Sequence, residues 1–379
     1  MQLPRTQALV AAALADTRLD LTTGRELTSV VGVLRGGRSA PAPAVLLRAD
    51  LDALPLTEET GEPFAAPPGV MHACGHDLHT AALVGAAVLL SRHQAELPGD
   101  VVFMFQPGEE GFDGAAAMLA EGVLDAAGPR VSAAYGLHVF SGILPRGVFA
   151  TRGGPLMAAS AGLYVTVRGV GGHASRPQAA ADPIVVAAEM VVALQTMVTR
   201  QFDVFDPVVV TVGLFSGGTR RNVIPETATF EATVRAFSEA SMARLQERTE
   251  RLCRSIAAAH GVTAEVSFTG EYPVTVNDAE HADFVLAVAE AEFGPDRVAR
   301  LPDPIMGSED FSRVLAEVPG AFVFLGAGFG DPTTAPVNHS PHARFDESVL
   351  PDAARLLAEL AWRRLDELSS APEPAPPAR

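Results

Sequence analysis

Cysteine is scarce in this chain, which has two among 379 residues, Cys74 and Cys253. Two thiols that far apart do not make a disulfide framework, so a small disulfide-stapled secreted module is excluded. Positive charge is short as well. Twenty-eight Lys and Arg stand against 45 Asp and Glu, for a formal net charge of −17. That is the wrong sign for wrapping a phosphate backbone or docking on anionic lipid, and neither a nucleic-acid nor a membrane partner is expected. Long apolar runs are missing too: no stretch of about 18 to 20 uninterrupted apolar residues occurs, and no charged-then-apolar N-terminal segment signals export. The expected location is the cytoplasm.

What is plentiful is small and apolar. A composition of 48% hydrophobic and 19% charged residues, with 34 Gly and 29 Pro, matches a globular α/β enzyme rich in Ala and Val. Single cores rarely grow beyond roughly 250 to 300 residues, so a chain of this length predicts two domains. From residue 44 onward, short apolar runs ("AVLLRAD", "VVFMFQP", "VSAAYGLHV", "AFVFLGA") alternate with helical stretches, including one from about Asp77 to Glu96. That rhythm predicts a mostly parallel sheet covered by helices. Between 159 and 270 the order becomes β-α-β-β-α-β, a ferredoxin-like unit inserted into the first domain. The predicted organisation is therefore 1–158 with 271–368 as one domain and 159–270 as the other. A last helix is expected from about Asp346 to Leu368, and the Pro- and Ala-rich stretch 369–379 is too poor in large apolar side chains to order itself.

The scarce ligand-type residues are concentrated. "MHACGHDLHT" (71–80) holds three histidines, a cysteine and an aspartate, and thiolate, imidazole and carboxylate are the donors that suit Zn²⁺ and its neighbours. The glycine of "CGH" lets Cys74 and His76 face one site. Asp77 stands where a helix N-cap is expected, so it reads equally as cap or ligand; His72 reads as a residue behind the ligands or a structural one, and His79 stays open between such roles. Other candidates follow strand ends, where ligands gather in α/β sheets. They are Asp50 and Asp52 in "RADLDALP", Glu109 and Glu110 in "QPGEEG", His138 in "GLHVF", and His339 and His342 in "NHSPH". Neighbouring Glu109 and Glu110 on an extended segment point to opposite sides. One can then bind metal while the other moves a proton. Cys253, at a helical apolar spacing, reads as a small buried hydrophobe.

Eight segments in order, "RADLDALP", "MHACGHDLHTA", "QPGEEG", "GLHV", "GGHAS", "NVIPE", "MGSEDF" and "NHSP", together resemble the M20 metallopeptidase family. Within it they resemble the amidohydrolase branch of hippurate hydrolases, N-acyl amino acid deacylases and auxin-conjugate hydrolases. The resemblance implies a dinuclear-metal catalytic domain with an inserted lid and dimerisation domain, and hence a homodimer. It implies Cys74, His76, Glu110, His138 and His339 as ligands of two divalent ions (Zn²⁺ or Mn²⁺, with Co²⁺ or Ni²⁺ also compatible) and Glu109 as the base. His173 and Asn222 would stabilise an oxyanion in a neighbouring subunit's site. Asp52 resembles an acid behind the ligands. "MGSEDF" resembles a cleft-lining loop, or else a helix start capped by Ser308. Members of this branch usually begin with a helix carrying an "LHxHPE"-like segment, and this sequence starts after it. The expected activity is cleavage of the amide of an N-acyl amino acid or a related small amide. A metallo-dipeptidase or aminoacylase of the same family is the alternative, followed by a thiol amidase using Cys74 and a noncatalytic metal- or peptide-binding protein. A substrate carboxylate would need a cation, for which Arg235, Arg220 and Arg221 are the candidates.

Overall fold

The structure, a computed structural model, describes residues 2–37 and 42–370. The expected unordered stretch lies outside these residues from 371 onward, and Ser369 and Ser370 instead continue the last helix. By internal packing the chain divides into two units. One comprises Met1–Leu156, Val276–Asp303 and Asp310–Arg379, and the other Met157–Thr275 and Pro304–Glu309.

The first unit is built on an eight-stranded sheet. Its strands are β1 (Asp20–Thr23), β2 (Val30–Leu34), β3 (Ala44–Asp50), β4 (Asp100–Gln106), β5 (Ala133–Phe140), β6 (Phe149–Thr151), β15 (Val298–Arg300) and β16 (Gly320–Gly326), in the order β1-β2-β4-β3-β5-β16-β6-β15. The central strands β4, β3, β5 and β16 run parallel, and β1 and β2 add an antiparallel edge. Every residue of those four central strands is buried. Burial on both faces explains why they read as continuous apolar runs rather than alternating ones. The helices of this unit are α1 (Pro4–Ala13), α2 (His76–Arg92), α3 (Gly114–Ala120), α6 (Ala279–Phe293), α7 (Ser312–Glu317) and α8 (Leu350–Ser370). Leu78, Ala82, Leu83, Ala86, Ala87 and Leu90 form the buried stripe of α2 at helical spacing. Each fully buried Leu there is worth about 1.5–3 kcal/mol, which fixes how α2 lies and so where its first residue, His76, sits.

The second unit strings β8 (Ala159–Arg168), α4 (Pro183–Gln201), β10 (Val208–Gly217), β12 (Thr227–Ala236), α5 (Glu239–Ala259) and β13 (Thr263–Tyr272) in the expected β-α-β-β-α-β order. Its antiparallel sheet has the order β10-β12-β8-β13. Alternation along β12 buries Ala228, Phe230, Ala232, Val234 and Ala236. They pack with Met190 and Leu194 of α4 and Leu245 and Cys253 of α5. Burial pushes the Cys253 thiol up to about 12, in keeping with an inert core residue. Two two-residue strands, β9 (Gly172–His173) and β11 (Val223–Ile224), pair as a separate ribbon. The short strands β7 (Gly154–Met157) and β14 (Thr275–Asn277) lie where the chain leaves and re-enters the first unit.

Candidate metal centre

Parallel pairing sets the level of the site. Asp50 on β3 is in register with Gln106 on β4, and His138 on β5 with Phe324 on β16, so the loops that follow these strands emerge on one edge of the sheet. Into that edge runs the turn before α2. Gly75, at φ 81°, caps the helix in the left-handed region. A Cβ at Gly75 would collide with the Val139 side chain, so only glycine lets Cys74 and His76 turn toward one point. Asp77 is therefore not the N-cap but an exposed first-turn residue.

Cys74 is the shared member of two clusters. With His76 and His138 it forms one triad, and with Glu110 and His339 another, the donor atoms of each lying within 4.8 Å of one another. Its sulfur is 3.4 Å from His138 Nε2 and 3.2 Å from His339 Nε2, and His339 Nε2 is 3.2 Å from a Glu110 oxygen. A third cluster joins His76 to Glu109 and Glu110. Glu109 and Glu110 do not sit on an extended segment as the sequence suggested. A tight turn closed by Gly111 N–H donating to the Glu109 carbonyl at 2.7 Å brings both carboxylates toward His76. Asp52 fixes that turn, one oxygen accepting from Glu109 N–H and the other from Glu110 N–H, both at 3.0 Å. His339 adopts φ 69°, a strained value for a residue with a Cβ that is typical of functional sites.

The imidazoles differ in what their nitrogens are doing. His138 donates from Nδ1 to the Val139 carbonyl at 2.8 Å, which fixes the ring with Nε2 turned to the sulfur. His76 is buried, and both its ring nitrogens lack a hydrogen-bond partner among the described residues. His79 is fully committed, since its Nε2 accepts from Val139 N–H at 2.8 Å and its Nδ1 donates to Asp50 at 2.6 Å. That excludes His79 as a ligand, and burial, outweighing Asp50, lowers its pKa to about 4. His342 stays outside the cluster, exposed and 3.5 Å from Glu59. Ser308 caps no helix, since α7 begins at Ser312 after Phe311.

Burial works against a thiolate at Cys74, yet the charge of His138 and hydrogen bonds with His138 and His339 hold its pKa well below the thiol range. Hydrogen bonds to Cys74 and Glu110 lift His339 to about 10. Against the pull of burial, Asp50, Asp52 and Cys74 raise His76, and Cys74 raises His138. These imidazoles collect protons to neutralise a thiolate and carboxylates, which is the charge a bound cation would supply. Thiolate, imidazole and carboxylate donors, with a buried His76 that makes no hydrogen bond among the described residues, fit a divalent metal.

Four residues that the sequence reading did not single out complete the surroundings. Asn338 accepts from Ser141 N–H at 2.9 Å and donates to the carbonyls of Val139 at 3.0 Å and Cys74 at 3.3 Å. Arg48, buried to 1% exposure, donates to Asp50, Gln106 and Asp310. Asn338 was visible inside "NHSP", and Arg48 and Asp310 inside "RADLDALP" and "MGSEDF". Gln106 reads as the polar end of a strand.

In the second unit, His173 pairs with Val223 across the β9–β11 ribbon, and Ala174 N–H donates to the Asn222 carbonyl at 3.1 Å. His173 and Asn222 line one open hollow of about 520 Å³. Ser175 N–H donates to His173 Nδ1 at 3.2 Å, which puts the proton of the neutral ring on Nε2. Arg235 is half-buried, with one terminal nitrogen lacking a partner among the described residues. Arg220 and Arg221 are exposed.

Comparison with known proteins agrees with this geometry. IAA-amino acid hydrolase ILR1-like 4 of Arabidopsis thaliana is 40% identical over 370 residues, covering 96% of this chain and 82% of that protein. N-acetylcysteine deacetylase of Bacillus subtilis is 37% identical over 337 residues, covering 88% and 84%. The crystal structure of the Bacillus subtilis YXEP protein, described as a dinuclear metal binding peptidase from the M20 family, superposes with a TM-score of 0.81 at 33% identity, covering 96% and 92%. The pattern of Peptidase family M20/M25/M40 matches residues 46–363. With a shared thiolate at its centre and relatives alike over nearly its whole length, the chain belongs to Peptidase family M20/M25/M40.

Proposed function

We propose that this protein is a metal-dependent amidohydrolase that splits the amide of N-acyl amino acids into a carboxylate and an amine. The observation that carries the reading is the position of Cys74 in two overlapping donor triads. That is the arrangement a dinuclear site with a shared sulfur needs. Cys74, His76, Glu110, His138 and His339 would hold two divalent ions, Zn²⁺ or Mn²⁺ by preference, with Co²⁺ and Ni²⁺ also compatible. Such ions, when bound, polarise the scissile carbonyl and make water acidic enough to lose a proton near neutral pH. Glu109 takes that proton and delivers it to the departing amine, general base and then general acid. His173, with its proton on Nε2, and Asn222 are suited to donate to the oxyanion as the carbonyl becomes tetrahedral.

The acyl amino acid carboxylate calls for a cation, and Arg235, half-buried with an unpartnered nitrogen, suits it better than the exposed Arg220 and Arg221. We place the enzyme in the cytoplasm as a homodimer formed through the second unit, acting as a lid and dimerisation domain. Exposed Val192, Phe205, Leu214 and Phe215 there supply apolar surface for such a contact.

A second reading is favoured by one observation: a thiolate beside two imidazoles is also what a thiol amidase presents. Dialysis against a chelator separates the two. Turnover of N-acyl amino acids should disappear on chelation and return on adding Zn²⁺ or Mn²⁺, with amides lacking the carboxylate turned over more slowly throughout. Activity that survives chelation but not alkylation of Cys74 would overturn the metal reading, and equal turnover of both series would remove the carboxylate-binding role of Arg235.

A further inference from the structure

The turn that carries Glu109 and Glu110 is held in its middle by Asp52, but its two ends are held by something else. Gln106 ends β4 on one side, and Ala115 lies in the first turn of α3 on the other. Asp310, fully buried, reaches both: one oxygen accepts from Gln106 Nε2 at 2.7 Å and from Ala115 N–H at 3.0 Å. Its other oxygen accepts from Gln106 Nε2 and Arg48 Nη2, each at 2.8 Å. Arg48 in turn donates to Gln106 Oε1 at 3.0 Å and to Asp50 at 2.7 Å. Between the stapled ends the chain folds tightly back on itself. Gly114 N–H donates to the Gly108 carbonyl at 3.1 Å, and a Cβ at Gly114 would strike the Pro107 carbonyl.

We propose that Asp310 is a positioning residue for the reaction, stapling the two ends of the 106–115 segment so that Glu109 and Glu110 stay in place above β4. The inference rests on the roles given to those glutamates above. A carboxylate is required because a single group has to accept from a side-chain amide, a backbone N–H and a guanidinium at once. An amide of the same shape has one acceptor oxygen and turns an N–H toward another donor. Arg48 supplies the charge that makes a buried carboxylate tolerable there. A general base displaced by about 1 Å loses about 10²-fold in rate. Residues that orient metal ligands change metal affinity or activity by about 10–100-fold.

The test is Asp310→Asn, measured with Zn²⁺ at saturation. The expected result is a folded protein whose kcat falls about 10–100-fold while KM changes by less than about twofold. Its apo form, titrated with Zn²⁺ against a competing chelator, should bind about 10-fold more weakly or worse. In a Glu109→Gln background the same substitution should cost little further turnover, because its effect on rate passes through that base. If Asp310→Asn does not fold, Gln106→Leu takes its place, since it removes the β4 side of the staple and leaves the Arg48–Asp310 pair. Unchanged kcat and Zn²⁺ affinity in a folded variant would overturn the proposal. So would a loss that multiplies with Glu109→Gln. Failure of the underlying reading shows separately, as wild-type turnover by Glu109→Gln alone.

Discussion

Glu109 and Glu110 are neighbours in one turn, share Asp52 as their backbone anchor, and both reach His76. What separates them is the third contact. Glu110 lies 3.2 Å from His339 and joins the Cys74 cluster, and Glu109 does not. That contact supports the proposed division of roles, Glu110 as ligand and Glu109 as proton carrier. Replacing Glu109 with Gln keeps shape and hydrogen bonding but removes the base. Metal content should stay at the wild-type level while kcat falls by about 10²–10⁴, as read by metal analysis and steady-state kinetics on the same preparation. Lost metal with unchanged turnover per bound ion would exchange the two roles. Residue types and motif spacing made the donor set legible in the sequence. The roles of His79, His342 and Asp77 were not legible: for the two histidines what decides them arrives from elsewhere in the chain, and for Asp77 it is the backbone conformation of Gly75. Val139 N–H and Asp50 occupy both nitrogens of His79, Glu59 draws His342 aside, and the left-handed Gly75 takes the cap that Asp77 was expected to fill. Of those partners only Gly75 lies in the same local segment, and its left-handed φ goes with the close approach of Val139.

Among the elements, the buried parallel strands announced themselves as apolar runs, and the β-α-β-β-α-β unit by its order. The short strands β1, β2, β6 and β15 gave no such signal, since three to five residues are too few to establish a period. The polar tie at the first turn of α6 was also invisible. There the His281 ring connects three elements: Arg364 of α8 donates to Nε2 at 2.9 Å, and Nδ1 faces the Tyr135 hydroxyl of β5 at 2.9 Å. A guanidinium can only donate, so Nε2 must be unprotonated and the ring neutral. Burial and Arg364 lower the pKa of His281, opposed by Asp278, Glu280 and Glu367. A lowered pKa in the folded state means that the unfolded chain takes the proton first. The contribution of this tie is therefore complete above the unfolded value of about 6.5 and is lost as pH falls below it toward the folded value. Thermal melts of wild type and His281→Asn at pH 7.5 and 5.5, with matched metal content, should show a larger acid-induced drop in Tm for the wild type. Equal drops would mean that the tie plays no part in acid sensitivity.

At the scale of the whole molecule, the proposed site needs donors that lie far apart in the chain. Cys74, Glu110 and His339 belong to the first unit, and His173 and Asn222 to the second. If the second unit supplies these donors to a partner subunit across a twofold axis, each site is composite, and damage to the two parts can be separated onto different chains. His173→Ala and Glu109→Gln should each be nearly inactive as homodimers. When they are mixed under conditions that exchange subunits, a mixed dimer holds one site with both defects and one with neither. About half of the dimers in a statistical mixture are mixed and each has one good site of two, so activity should recover to about a quarter of wild type. Subunit exchange is followed independently, by mass or by labelled chains, so that a silent failure to mix is recognised. Exchange without any recovery would place His173 in the service of its own subunit's site or remove it from the reaction. Recovery would identify the dimer as the catalytic unit and give the exposed apolar surface of the second unit, Val192, Phe205, Leu214 and Phe215, a functional reason to be covered.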